Sequence, residues 1–224
     1  MILNPRYVES FFNTWSAECA YVLGLFASDG CMYKNKRGSC YVAFTSTDYQ
    51  LILTIQILLK LTNKIEVYKR AGNFKTSYSL QIGSKKLFNR FGEIGFTPAK
   101  SKTLIFPPIP DSFLGHFIRG YFDGDGSIYF NSSARKDRTG VINYFILNLR
   151  CGNRIFLETI RSKIAALLGI GVGSLYFHSG AYSLAYSGKD VVELYDFLYP
   201  NLVLPHLERK RLKYDKGLKS ILRP

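Results

Sequence analysis

Two carboxylates stand at matching places in this chain. Residues 22–30 read VLGLFASDG and residues 118–126 read IRGYFDGDG, so each apolar run carries glycine at its third position and closes on Asp-Gly. The runs read as helices that end there, which puts Asp29 and Asp125 at helix C-termini. That end of a helix is electronegative, so one carboxylate there costs about 0.3–1 kcal/mol and a second nearby adds repulsion. A divalent cation between them would reverse the sign. Hard oxygen donors of this kind suit Mg2+ (or Mn2+), held by one or two carboxylates together with the phosphates of a substrate. Asp-Gly is also a common helix stop. Its double occurrence at matching places in a strongly basic chain favours the metal-site reading.

Small residues supply a way to bring the two acids together. Gly24 and Ser28 are four residues apart on the first helix, as are Gly120 and Gly124 on the second, so each pair shares one helix face. Such faces let two helix backbones approach closer than the usual ~8–10 Å. Paired about an approximate two-fold axis, the helices would place their C-terminal ends side by side.

The runs belong to a longer duplication, since YSLQIGSKK (78–86) also corresponds to YSLAYSGKD (182–190). In the first copy, Ser16 caps a helix to about Ser28. Strands in CMYKN and SCYVAFTS follow, then a helix from Asp48 to Leu61, strands near 65–70 and 77–83, and a helix from Lys85 to Phe91. In the second copy, Asp111 or Ser112 caps a helix to Asp123. Strands near 126–131 and 141–150, a helix from Asn153 to Leu168, strands near 172–178 and 181–187, and a helix from Lys189 to Tyr199 follow. A basic helix in LERKRLKYDKGLKSIL ends the chain. The expected fold is α+β: two pseudo-symmetric α-β-β-α-β-β-α repeats, residues 1–105 and 111–224, whose antiparallel sheets form a saddle. FPPIP at 106–110 cannot continue a helix and reads as the linker.

Composition narrows the partners. Of 224 residues, 47% are hydrophobic and 21% charged, which specifies a packed globule, and 30 Lys and Arg against 16 Asp and Glu give +14. That excess points to a polyanion, nucleic acid first and an anionic membrane surface second. No apolar stretch approaches the ~20 residues of a membrane span, and MILNPRYVESFF lacks the pattern of a secretory signal. The expectation is a soluble, monomeric, intracellular protein of a bacterial or archaeal cytoplasm or an organelle, without a membrane partner. Cys19, Cys31, Cys40 and Cys151 are scattered and only three histidines occur, so a zinc site has no support. A calcium loop begun at Asp123 fails at its sixth residue, Ile128, and its twelfth, Ala134.

VLGLFASDG and IRGYFDGDG, set in a duplicated α-β-β-α-β-β-α unit, resemble the LAGLIDADG homing endonucleases, and the two-copy layout resembles their single-chain branch. The resemblance implies a site-specific homing endonuclease that makes metal-dependent double-strand breaks in a long DNA target, staggered with short 3′ overhangs, and the expectation is an intron-encoded enzyme. It implies that Asp29 and Asp125, with the carbonyls of Ser28 and Gly124, hold the metal against the scissile phosphates. The first motif departs from the family pattern at Ala27, where the second keeps Asp123. A basic residue organising the attacking water is implied in PAKSK, at Lys100 with Lys102 as neighbour, and in LERKR, at Lys210 with Arg209 as neighbour.

Sequence reading would fall to the strands, because a β-ribbon fits the major groove, where base edges are unambiguous. Alternation turns Val42 and Phe44 toward the helices and Tyr41, Ala43 and Thr45 away. It likewise separates Ser77, Ser79 and Gln81 from Tyr78, Leu80 and Ile82. In the second copy Tyr144, Asn148 and Arg150 share one face, as do Ser183, Ala185 and Ser187. Lys34, Lys36, Arg37 and Arg70, with Arg135, Lys136 and Arg138, are expected to reach phosphates or outer base pairs. Two alternatives keep the fold without cutting: an RNA-splicing maturase, with intron RNA as partner, and a non-cleaving DNA-binding regulator. An intein-embedded enzyme would need splicing elements, and MILNPR and ILRP supply none.

Overall fold

The computed structural model describes residues 5–221 except 70, 73 and 135–138. A short helix α1 (Pro5–Phe11) leads to α2 (Ala17–Asp29), whose N-cap Ser16 accepts a hydrogen bond from Cys19 N at 3.1 Å. Strands β1 (Gly30–Lys34) and β2 (Cys40–Ser46) form a hairpin. Helix α3 (Tyr49–Leu58) follows, capped by Asp48, and then β3 (Glu66–Tyr68) and β4 (Ser77–Gly83). Helix α4 (Lys85–Ile94) is capped by Ser84 and stopped by Gly95, which sits in the left-handed region at φ 109. The sheet order is β1-β2-β4-β3, antiparallel throughout.

The second copy repeats this order. Its elements are α5 (Leu114–Asp125), β5 (Gly126–Ala134), β6 (Val141–Cys151), α6 (Arg154–Leu168), β7 (Ser174–His178), β8 (Ala181–Ser187) and α7 (Lys189–Leu198). Its sheet runs β5-β6-β8-β7, again antiparallel. A last helix, α8 (Glu208–Ile221), packs against β5. The mixed architecture with two four-stranded sheets is the expected one. Val42, Phe44, Leu80 and Ile82 of the first sheet, and Phe145, Leu147, Leu149 and Leu184 of the second, are buried beneath the helices. Among the described residues, no helix is long and apolar enough to cross a membrane.

Local chemistry moves several boundaries. Neither Asp111 nor Ser112 caps α5: a 3-10 turn, Asp111–Phe113, precedes it, Phe113 takes the cap position without a side-chain bond, and Asp111 pairs with Lys163 at 2.9 Å. Helix α3 ends at Leu58 instead of Leu61 because Lys60 turns left-handed at φ 49. Helix α4 continues past Phe91 to Ile94, since Phe91 and Ile94 are both core residues.

Helices α2 and α5 cross at the centre and are buried on nearly every side, which explains their unbroken apolar sequence. A Cβ at Gly24 would overlap the Phe117 carbonyl oxygen and lie 2.8 Å from Tyr121 N. One at Gly120 would overlap the Tyr21 carbonyl oxygen and lie 3.0 Å from Leu25 N. The contact is thus reciprocal and backbone to backbone, available only to glycine.

Candidate active site

The crossing brings the two motif ends together. A Cβ on Gly124 would meet the Ser28 side chain and lie 3.2 Å from Asp29 Oδ2, so the Asp29 carboxylate rests against the opposite helix. Asp29 is half-buried and Asp125 opens to solvent. Loss of hydration, and then the Asp125 charge, push the Asp29 carboxyl up to about 6; Lys210 and Lys100 oppose this. Asp125 is raised by desolvation, against the pull of Lys100, Lys210 and Arg150. Each acid is therefore a carboxylate whose charge is poorly compensated.

Both lysines named from the sequence lie here. Lys100, 5% exposed, opens a 3-10 turn after Ala99, which is held left-handed at φ 56. Its Nζ donates to the Ser28 carbonyl at 3.4 Å and lies 5.4 Å from the Phe26 ring centre. Lys210, 7% exposed, sits in the first turn of α8 and donates to the carbonyls of Phe122 (2.5 Å), Gly124 (3.1 Å) and Gly126 (2.7 Å). Each ammonium thus satisfies carbonyls at the negative end of its own motif helix. The Ser28 and Gly124 carbonyls, named as metal ligands, are engaged by these lysines. Burial lowers both lysine pKa values, that of Lys210 to about 8, against the pull of neighbouring aspartates. The neighbours do not share this position: Lys102 is exposed, and Arg209 pairs with Asp48 at 2.6 Å.

The sheets turn a second surface away from the helices. Tyr41, Thr45, Ser77, Ser79 and Gln81 lie on it in the first sheet, with the Thr45 and Ser79 hydroxyls 3.0 Å apart. Asn148, Arg150 and Ser187 lie on it in the second. Lys36 and Arg37 are exposed in the β1–β2 turn. Two expectations need correction. Ser183 is only 2% exposed: Arg150, its register partner, reaches the carbonyls of His178 and Ser179 at 3.1 and 3.2 Å and so passes over β8. Lys34 has the parity of buried Met32 and lies 5.4 Å from the Phe88 ring of α4, on the helical side. Arg70, Arg135, Lys136 and Arg138 fall outside the described residues.

Sequence reasoning missed members of this surface. Tyr33 stacks on Tyr41 with ring centres 5.2 Å apart, and Tyr68 hydrogen-bonds Glu66 on the edge strand. Tyr129 lies beneath Lys213 of α8, 5.6 Å from the ammonium. Strand parity, applied to β1, β3 and β5 as to their partners, would have found all of them.

Among the described residues, no group of three or more His, Cys, Asp or Glu gathers as a metal site. The donors present are two carboxylates that repel each other, an oxygen-only set that suits a hard divalent cation completed by phosphate.

Residues 16–95 match the family model described as LAGLIDADG-like domain. Among solved structures, the LAGLIDADG meganuclease I-CpaMI bound to uncleaved DNA superposes with a TM-score of 0.63 at 13% identity, covering 93% of this chain and 91% of that one. I-AabMI bound to uncleaved DNA gives 0.61 at 14% identity, covering 92% and 90%. The homing endonuclease I-SmaMI bound to cleaved DNA gives 0.62 at 12% identity, covering 93% and 89%. At these identities the likeness establishes the fold. A search of curated proteins finds no match.

Proposed function

From a chain whose residues 16–95 match a LAGLIDADG-like domain and 93% of whose length superposes on a LAGLIDADG meganuclease, we propose a site-specific DNA endonuclease that hydrolyses both strands of a long duplex target. The observation that carries this reading is the meeting of Asp29, Asp125, Lys100 and Lys210 at the ends of two crossed helices.

Asp29 and Asp125 are the residues to hold Mg2+ or Mn2+, which when bound supplies charge stabilisation at the scissile phosphate and lowers the pKa of an attacking water. The two half-compensated carboxylates draw positive charge to the site. Lys100 and Lys210, buried and fixed by carbonyls, place one ammonium at each motif end, where it orients water, and burial that lowers Lys210 to about 8 suits that lysine to exchange protons. The aromatic and polar surface of the sheets meets base edges in the major groove, with Tyr41, Gln81, Asn148 and Arg150 as readers. Lys36 and Arg37 anchor phosphates, so affinity falls steeply with salt. The single chain acts as a monomer, and intron homing with short 3′ overhangs is the biological setting of the reading.

The test incubates the purified chain with a library of randomised duplexes, with Mg2+ or with EDTA, and sequences the ends. Breaks at one long motif that require Mg2+, and that vanish in Asp29→Asn and Asp125→Asn, are expected. Tight binding without breaks would assign the chain to the non-cleaving DNA-binding class instead.

A further inference from the structure

The two motif ends are not equivalent, and the difference lies two and six residues before the paired acids. Asp123 of α5 is 1% exposed. Its Oδ2 accepts from Tyr21 Oη at 2.9 Å, a residue of α2, and from the backbone N–H of Leu207 at 2.8 Å. Leu207 is the cap residue of α8, since its carbonyl accepts from Lys210 N and Arg211 N. Lys210 follows three residues later on the same side of the helix. Arg119, also 1% exposed, fastens the incoming segment by donating to the carbonyls of Leu198 (2.7 Å) and Pro205 (2.9 Å), beneath the Tyr21 ring. The corresponding places in the first copy are Ala27 and Leu23, which offer no such bonds. Lys100 accordingly hangs from one long contact, where Lys210 has three.

We propose that Asp123 is a positioning residue for Lys210 alone: by gripping the Leu207 amide it sets where α8 starts, and thereby where the Lys210 ammonium lies at one of the two strand-cleavage centres. The inference rests on the endonuclease reading for its effect on cutting, but not for its effect on the lysine. Without Asp123 the Leu207 amide loses its acceptor inside the protein, and the first turn of α8 can rotate. Lys100, on its own turn at the other motif, is untouched. The consequence is strand-selective, which a general loss of stability is not.

The experiment follows both strands of the duplex recovered from the wild-type cleavage selection, each with its own 5′ fluorophore. Asp123→Ala, which copies Ala27, is expected to slow one strand about 10- to 100-fold, the same strand that Lys210→Ala slows. The strand that Lys100→Ala slows is expected to keep its rate. Asp123→Asn, which retains an acceptor for Leu207 N–H, is expected to restore both. In parallel, acylation of the free protein by an amine-reactive ester, read by mass spectrometry, is expected to rise about 10-fold at Lys210 in Asp123→Ala and stay constant at Lys100. Equal slowing of both strands, slowing of the Lys100 strand, failure of the asparagine variant, or unchanged labelling of Lys210 would overturn the proposal. If the wild type cuts no duplex, the endonuclease reading fails by itself, and the labelling still decides whether Asp123 holds Lys210.

Discussion

Replacing Gly120 by alanine probes the crossing on which the site depends, and two effects oppose each other there. In a helix interior alanine is favoured over glycine by about 1 kcal/mol. Against this, the new Cβ would overlap the Tyr21 carbonyl oxygen and lie 3.0 Å from Leu25 N and Tyr21 C, all backbone atoms of α2. Backbone cannot rotate aside, so α2 must retreat by roughly 1.5 Å to open the 2.1 Å separation of Cβ and the Tyr21 oxygen to a contact near 3.5 Å. Overpacking of this kind costs about 1–3 kcal/mol, and the unyielding partner puts Gly120 at the upper end. The net expectation is a loss of about 1–2 kcal/mol. The same retreat separates Asp29 from Asp125, and a shift of that size lowers a cleavage rate by about 100-fold. Gly92 of α4 is the control, because nothing lies within 4 Å of its Cβ position. Gly92→Ala is expected to gain up to about 1 kcal/mol and to cut normally. Urea unfolding of both variants, with cleavage measured alongside, decides the matter. If Gly120→Ala matches or exceeds wild-type stability, close backbone approach does not govern this interface.

The charges at the site predict a pH profile for the metal-free chain. With its carboxyl raised from 3.8 to about 6, Asp29 binds a proton in the folded state that the unfolded chain has released, so stability falls as pH rises through that window. With its amine lowered from 10.5 to about 8, Lys210 acts in the opposite sense, and stability recovers as pH climbs from about 8. Asp29→Asn should therefore flatten the lower slope and raise stability at pH 7 by on the order of 1–2 kcal/mol while abolishing cleavage; an unchanged slope in thermal melts would contradict this. Asp48 joins the halves through Arg209 and also caps α3, its Oδ1 accepting from Gln50 N at 3.2 Å. Asp48→Ala should cost about 1 kcal/mol through the lost cap. Arg209→Ala, which removes only an exposed ion pair, should cost less than about 0.5 kcal/mol. Equal losses in urea titrations would show that the ion pair, not the cap, carries the contribution.

The duplication was legible because both copies keep the same order of periodicities, and glycines four apart announced a close crossing before any coordinates. Asp29 and Asp125 followed from position alone. Lys100 and Lys210 needed a family resemblance, since local sequence does not distinguish Lys210 from Arg209; only burial against α5 does. Ser183 was misplaced because strand parity assigns a face but not what lies across it, and Arg150 lies across it. Arg119 and Asp123 were hidden for a related reason. Charged residues in a run such as IRGYFDGDG look like an exposed stripe, whereas here the partners that permit burial, Tyr21 and the 198–207 segment, come from remote parts of the chain. Asp111, expected as a cap ahead of α5, likewise pairs with Lys163, 52 positions distant.

Arg119 and Asp123 stand in one copy opposite Leu23 and Ala27 in the other. An assembly of two identical subunits could not hold that difference, because every substitution would appear twice across its axis. Fusion of the copies removes the constraint, and the outward faces of the sheets have diverged as well, Cys31 and Gln81 answering to Ser127 and Ala185. A recognition surface built from unlike halves has no reason to prefer an inverted repeat. The duplex that fits it best should be non-palindromic, each half-site free to vary without its mirror image.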